Sequence, residues 1–145
     1  NGEEQRDRPA YYYTQSSDIP YRIADKGMEV LIVRSSQNKH WVVPKGIADP
    51  GLSLQESAGK EAWEEAGVQG LVHEQAIGSY SYPKWGAVCT VSVYPMEVSR
   101  ELPQEEWEEH HRGREWVAAG KAAELLRQAE LGPLVSALEK QLTGN

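Results

Sequence analysis

A chain of 145 residues that is 39% hydrophobic and 26% charged has the composition of one ordinary globular domain with a sizeable core. The net charge of −7 excludes a general nucleic-acid-binding surface, which would be basic, while leaving room for a small basic pocket for an anionic ligand. No stretch approaches the ~18 apolar residues of a membrane span, and the single cysteine, Cys89, cannot close an intramolecular disulfide, so a buried thiol in a reducing compartment is expected.

Residues 1–18 are polar and charged, relieved by Tyr11, Tyr12 and Tyr13, and read as a loose tail without the charged-then-apolar pattern of a signal peptide. A cytoplasmic protein is expected, with a single domain over residues 19–145. "YRIA" (21–24) predicts a short strand and Lys26-Gly27 a turn. "MEVLIVRS" (28–35) has the β-branched, continuous apolar character of a buried strand. "HWVVP" (40–44) is a short extended run stopped by Pro44, and "GIADPG" (46–51) is a loop with Pro50-Gly51 as its turn. "SLQE" (53–56) fits a capping box, Leu54, Ala58, Ala62 and Ala66 recur every four residues, and Gly67 is a C-terminal stop, so a helix is predicted over 54–66. Residues 71–82 and 87–98 predict two long strands, joined through Tyr82, Pro83, Lys84, Trp85 and Gly86. Residues 99–112 form an acidic loop, "REWV" (114–117) a short strand, and residues 119–128 and 133–142 two helices, with Pro133 in the first turn of the second. The order predicts an α/β fold, a mixed sheet with helices on both faces.

The predicted helix carries Glu61, Glu64 and Glu65 together. Like charges at i,i+3 and i,i+4 cost such a helix ~0.2–0.5 kcal/mol per pair. Lys60, four residues after Glu56 and four before Glu64, can neutralise part of the cluster, and the plain reading is a solvated acidic face. A divalent cation offers another resolution. Glu61 and Glu65 lie one turn apart on one face with Glu64 beside them, and Mg²⁺ and Mn²⁺ prefer carboxylate, carbonyl and water oxygens. The "PKG" segment (44–46) joins a strand to the loop before the helix, where a backbone carbonyl could complete a metal site.

From Gly46 to Val68 the sequence, GIADPGLSLQESAGKEAWEEAGV, resembles the signature of the Nudix hydrolases, G-x5-E-x7-R-E-U-x-E-E-x-G-U, where U is a bulky aliphatic residue. Gly46, Glu61, Glu64, Glu65, Gly67 and Val68 match, and Ala62 is a small stand-in at an aliphatic position. Leu52 stands where the pattern has Glu, and Lys60 where it has Arg. The order of elements over residues 19–142 follows the same family, whose fold is an α/β/α sandwich with a mixed sheet between helices. The resemblance implies a hydrolase that cleaves a diphosphate linked to another moiety, with Mg²⁺, or Mn²⁺, as cofactor. It implies Glu61, Glu65, Glu64 and the carbonyl of Gly46 or Lys45 as metal ligands. It implies Glu61 and Glu64 as catalytic carboxylates, with Glu105, Glu106, Glu108 and Glu109 as alternative bases, and Lys60 as the cation that orients them. In the family pattern the missing Glu and Arg are thought to brace one another; Lys60 can pair with Glu56 or Glu64 instead, as a point charge.

"WVVPKG", "EEAGVQG" and the "EEWEE…GREW" segment resemble the branch that hydrolyses diphosphoinositol polyphosphates and dinucleoside polyphosphates. A polyanionic substrate needs cations, and Lys45, Arg34, Lys39, Lys84 and Arg114 are the substrate-binding candidates, with Arg22 and Arg112 of the same kind. His40, His110 and His111 could touch phosphate, and Trp85 or Tyr82 could stack on a nucleobase. Trp41, Trp63 and Trp116 read as core. The expected partner is a small polyphosphate, with no membrane and no extended nucleic-acid contact, and the oligomeric state is open. Two other functions fit the same residues: removal of pyrophosphate from RNA 5′ ends, and a non-catalytic module that binds a phosphorylated ligand.

Overall fold

The computed structural model of the chain describes residues 13–84 and 86–144. Its strands are β1 (Thr14–Ala24), β2 (Gly27–Arg34), β3 (Trp41–Val42), β4 (Lys45–Ile47), β5 (Val68–Val72), β6 (Gly78–Lys84), β7 (Ala87–Glu101) and β8 (Arg114–Ala118). Its helices are α1 (Leu54–Ala66), α2 (Ala119–Leu125) and α3 (Leu131–Thr143). The sheet runs β3-β2-β1-β7-β5, with β4 added beside β1, β6 beside β7 and β8 beside β2. β1 and β7 are parallel and the other pairs antiparallel, so the sheet is mixed.

Side chains alternate across a strand, and β2 uses that period to serve two cores. Val30 and Ile32 pack toward α2 and α3, with Leu126, Leu131, Val135 and Leu138. Leu31 and Val33 point to the other face and pack with Ala62 and Ala66 of α1 and with Trp107. This two-sided burial is why "VLIV" reads as an unbroken apolar run. The result is a sheet between helical layers, the α/β/α sandwich that the sequence predicts. Among the described residues, no helix is long and apolar enough to cross a membrane.

Several boundaries differ from the sequence reading: β4 (Lys45–Ile47) reaches into the predicted 46–51 loop, and β7 runs on to Glu101. Residues 1–12 lie outside the described residues, but β1 starts at Thr14, and Gln15, Ser16, Ser17 and Asp18 are buried in it rather than part of a tail. Their polar character hid the strand. Ser16 Oγ donates to the Leu54 carbonyl (2.8 Å), Ser17 Oγ to that of Pro44 (2.7 Å), and Tyr82 Oη to Gln15 Oε1 (2.8 Å), so three of the four are paired in place. The single strand predicted over 71–82 is two, β5 and β6, because β7 is long enough to pair with β5 along its C-terminal half and with β6 along its N-terminal half. Finally, α2 ends at Leu125, and Leu126 leaves the helix to bridge to Trp41 beside the sheet.

Candidate active site

Helix α1 is fixed at both ends. Ser53 Oγ accepts the Glu56 N–H (3.0 Å) while Glu56 Oε1 accepts the Ser53 N–H (2.8 Å), the predicted capping box. At the other end Gly67 takes the left-handed conformation, φ 68°, that ends a helix at little cost to glycine. The C-terminal carbonyls, which have no partner inside the helix, are met from outside. Arg114 Nη1 donates to the Ala66 carbonyl (2.7 Å), and Trp107 Nε1 donates to that of Glu64 (3.3 Å). Arg114 also donates to the Leu102 carbonyl and lies 3.5 Å from Glu101 Oε2. Small residues on the inner face, Ala58, Ala62 and Ala66, are fully buried and let the helix lie close to the sheet.

That placement divides the three glutamates. Glu61 is buried, at 8% exposure, and Glu65 is mostly buried, whereas Glu64 stays on the outer side. The Lys45 N–H donates to Glu65 Oε1 (3.2 Å), which ties the "PKG" segment to the helix. The Glu65 and Glu61 carboxyls are close neighbours and interact with one another. Burial pushes the Glu65 carboxyl up to about 8, opposed by the Lys45 N–H and reinforced by Glu61. The Glu61 carboxyl is also raised, chiefly by burial. Gly46 makes the space for this pair. A Cβ there would come closer than 3.0 Å to all three atoms of the Glu61 carboxyl group, so the glycine of the signature is required by close approach.

Two residues that sequence reasoning missed border the pair. Asp18 of β1 is fully buried, with neither carboxylate oxygen hydrogen-bonded. Its carboxyl is raised well above the usual range by burial and by the neighbouring Glu65 and Glu61. The second is Trp107, 1% exposed, which anchors the acidic loop. Its neighbour in that loop, Glu109, pairs with Arg112 at 3.0 Å, and the buried Arg112 guanidinium reaches to 4.0 Å from Glu65. The loop is therefore connected to the site through Arg112. A lone Asp in a strand of serines carries no sequence signal of this; a Trp amid glutamates does, and Leu102 in the same loop packs into the same core.

Lys60 does not pair with Glu56. Its Nζ is 2.8 Å from Asp49 Oδ2 and 3.5 Å from Glu64 Oε2. Asp49 is further held by its N–H donating to Ser57 Oγ (3.2 Å), so the loop is fastened to α1 three residues before Leu52, which is 40% exposed. The carboxylate absent at Leu52 is supplied from Asp49.

The substrate-binding candidates separate. Lys45 is at the site, its backbone on Glu65 and its Nζ 4.7 Å over the Tyr82 ring. Burial and the charge of Lys84 lower its pKa, so Lys84 lies near enough to act with it. Arg34 stacks over Trp41 at 4.0 Å and Lys39 is exposed in the β2–β3 turn. Arg114, a substrate-binding candidate, lies at the end of α1 with its guanidinium on the Ala66 and Leu102 carbonyls and its side chain 6% exposed. Arg22 pairs with Glu29 at 2.7 Å and lies over Trp116, on another part of the sheet. Trp85 lies outside the described residues. A cavity of about 200 Å³ opens beside Lys45, lined by Val42, Val43, Tyr80, Arg127, Gln128 and Leu131. Arg127 at its rim donates to His40 Nε2 (2.6 Å).

Among the described residues no three His, Cys, Asp or Glu side chains already converge into a metal cage. The donors nevertheless suit a hard divalent cation. They are all oxygen, the buried Glu61–Glu65 pair lacks a full complement of positive charge, and Gly46 lets the Glu61 carboxyl lie directly against the loop. Glu61, Glu65 and the Gly46 carbonyl are the residues that would hold it, with Glu64 at the outer edge.

Comparison with known proteins agrees with this geometry. A family model described as the NUDIX domain matches residues 17–138. Nudix hydrolase 12, mitochondrial, of Arabidopsis thaliana is 31% identical over 147 residues, covering 84% of this chain and 71% of that protein. The asymmetrical bis(5′-nucleosyl)-tetraphosphatase of Sus scrofa is 27% identical over 108 residues, covering 72% of this chain and 74% of its own. Among solved structures, the Ap4A hydrolase of C. elegans superposes with a TM-score of 0.73 over 90% of this chain and 98% of that one; at 22% identity the likeness is one of fold.

Proposed function

We propose, for a chain that belongs to the Nudix family and is a pyrophosphohydrolase, that the substrate is a nucleoside polyphosphate and that cleavage depends on a divalent cation. The observation that carries this reading is the position of Lys45. Its backbone is bound to Glu65 of α1, its ammonium group lies over the Tyr82 ring, and the same residue lines the cavity. A phosphate chain neutralised at the helix would thus lead directly into a small pocket with apolar walls, Val42, Val43, Leu131 and the Tyr80 ring, and a polar end at Gln128 and Arg127. Such walls suit a flat ring system. They suit an inositol ring carrying phosphates on every side poorly, because each charge placed against Val42 or Leu131 would lose its hydration without a partner. Arg114 and Arg34 are engaged away from the site, on the end of α1 and over Trp41. The Sus scrofa relative, named as a nucleosyl-tetraphosphatase, supports the same choice.

In the reaction a water oxygen bonds to one phosphorus of a P–O–P link and the bridging P–O bond breaks. A bound divalent cation supplies neutralisation of phosphate oxygens and activation of the water. The protein's own residues do the rest. Glu61 and Glu65 hold the charge from the buried side, and the half-desolvated Lys45 steadies a phosphate oxygen. Glu64, at the rim where water has access, takes the proton from the attacking water, with Lys60 orienting it. Glu109 is the other carboxylate within reach of the site through Arg112.

The test is a substrate panel with Mg²⁺ or Mn²⁺: dinucleoside polyphosphates, diphosphoinositol polyphosphates, nucleotide sugars and 5′-triphosphate RNA, for wild type, Glu65→Gln, Glu64→Gln and Glu109→Gln. Dinucleoside polyphosphates should be cleaved fastest, and Glu65→Gln should abolish turnover. Faster cleavage of the inositol compound or of the RNA end would overturn the substrate assignment. A deeper loss from Glu109→Gln than from Glu64→Gln would reassign the base.

A further inference from the structure

We propose that Asp18 is an acidic residue of the cation site, set behind Glu61 and Glu65 on the sheet side and acting as a third negative charge for the bound ion. The proposal rests on the reading of Glu61 and Glu65 as cation ligands. Nothing in the signature points to Asp18, which lies in β1, 28 residues before Gly46.

Three observations lead to it. The first is burial without pairing. Among the described residues, the buried side-chain atoms lacking any hydrogen-bond partner are both oxygens of Asp18 and Nε of Arg112. A buried polar group without a partner typically costs ~1–3 kcal/mol, and more when charged. All three atoms belong to residues that flank Glu65, so the unmet demand in this part of the fold is concentrated where a cation would sit. The second is direction. Ser16 Oγ reaches the Leu54 carbonyl of α1, and residues two apart on a strand share a face, so Asp18 is aimed at the same helix. Farther along that helix, the buried face presents Glu61, and Glu65 follows one turn on, mostly enclosed. The third is the backbone. The Asp18 N–H donates to the Pro44 carbonyl (3.2 Å), and Ser17 and Ser16 pair with Lys45 and Gly46, so Asp18 is held in register with the loop whose carbonyl would face the ion.

A purely structural role explains none of this. An asparagine or threonine would fill the space without a charge, and a valine would fill it without an orphan. The three carboxylates do not already converge as direct ligands, so Asp18 contributes charge and hydrogen bonding to the ion's hydration shell. Groups of this kind typically change metal affinity 10–100-fold.

The experiment measures Mn²⁺ binding by electron paramagnetic resonance and the thermal midpoint with and without Mn²⁺, for wild type, Asp18→Asn, Asp18→Ala and Glu65→Gln. Asp18→Asn should leave the metal-free protein as stable as wild type or more so, while weakening Mn²⁺ binding at least ~10-fold and shrinking the midpoint shift that Mn²⁺ causes. Asp18→Ala should weaken Mn²⁺ binding to the same degree, whatever its own stability. Unchanged Mn²⁺ affinity in either folded variant, with Glu65→Gln impaired, would overturn the role of Asp18 and leave the cation site standing. Unchanged affinity in Glu65→Gln would overturn the cation site itself.

Discussion

Gly46→Ala isolates what the signature glycine does. Gly46 is not among the glycines with positive φ, so alanine meets no backbone penalty, and the unfolded chain loses a little freedom, worth ~0.4–1 kcal/mol in favour of folding. The whole cost falls on Glu61. The new methyl would lie closer than 3.0 Å to its Cδ, Oε1 and Oε2, where ordinary contact begins at 3.4 Å. Because all three atoms are involved, no rotation of the carboxyl plane relieves the clash, and the group must retreat by ~1 Å. Misplacement of that size costs about 100-fold in rate, or ~2.7 kcal/mol of barrier. Initial rates of dinucleoside polyphosphate cleavage should therefore fall ~100-fold, and Mn²⁺ affinity should fall with them. The thermal midpoint should hold, as should that of the control Gly120→Ala, whose added carbon meets nothing within 4 Å. A Gly46→Ala enzyme within threefold of wild type would refute the claim that this glycine exists to seat Glu61.

Asp49→Asn and Lys60→Met should each lower kcat about 10-fold with little change in KM, and the double variant should be no worse than either, if the two act as one unit; additive losses would show independent roles. Leu52→Glu with Lys60→Arg should then give little gain while Asp49 is present, since the position facing Lys60 is already filled. In the metal-free protein Glu65 keeps its proton to about 8, against 4.5 in an unfolded chain, so the folded form binds the extra proton between those values. Stability from this group is therefore present at low pH and is lost as pH rises toward about 8. Thermal midpoints in EDTA should fall over that window, less so in Glu65→Gln, while Mg²⁺ affinity should rise with pH as the proton is displaced; parallel curves for the two proteins would contradict this. Arg114→Met should destabilise the fold by ~2–3 kcal/mol in urea unfolding, through the lost charged hydrogen bonds to Ala66 and Leu102, with KM nearly unchanged; a KM effect without destabilisation would restore Arg114 to the substrate.

What the sequence revealed was whatever local chemistry decides. The α1 boundaries, its capping box and the stop at Gly67 depend on a few neighbouring residues and were legible. So were Glu61 and Glu65, because a helix converts spacing directly into a shared face. Partnerships set by the tertiary fold were not. Asp49 and Lys60 are eleven positions apart and meet only because the loop folds back onto α1. Arg114 looked like a free cation at a strand end, yet the β2–β8 pairing delivers it to the end of α1, a third of the chain away. Asp18 looked like part of a polar tail because hydropathy counts a buried serine with a satisfied hydroxyl as if it faced water.

The two anchors at the C-terminal end of α1 also bear on how this protein can vary. Trp107 and Arg114 grip backbone carbonyls, Glu64 and Ala66, not side chains. These hydrogen bonds are therefore indifferent to the outward-facing side chains of the helix, while the inner face, Ala62 and Ala66, must stay small where Trp107 packs against it. Glu108 and His111 are exposed and can be exchanged without loosening that hold, whereas the His110 ring lies 3.2 Å from the Trp107 carbonyl and belongs to it. Substitutions on the outer surface of that loop should therefore leave α1 and its carboxylates in register.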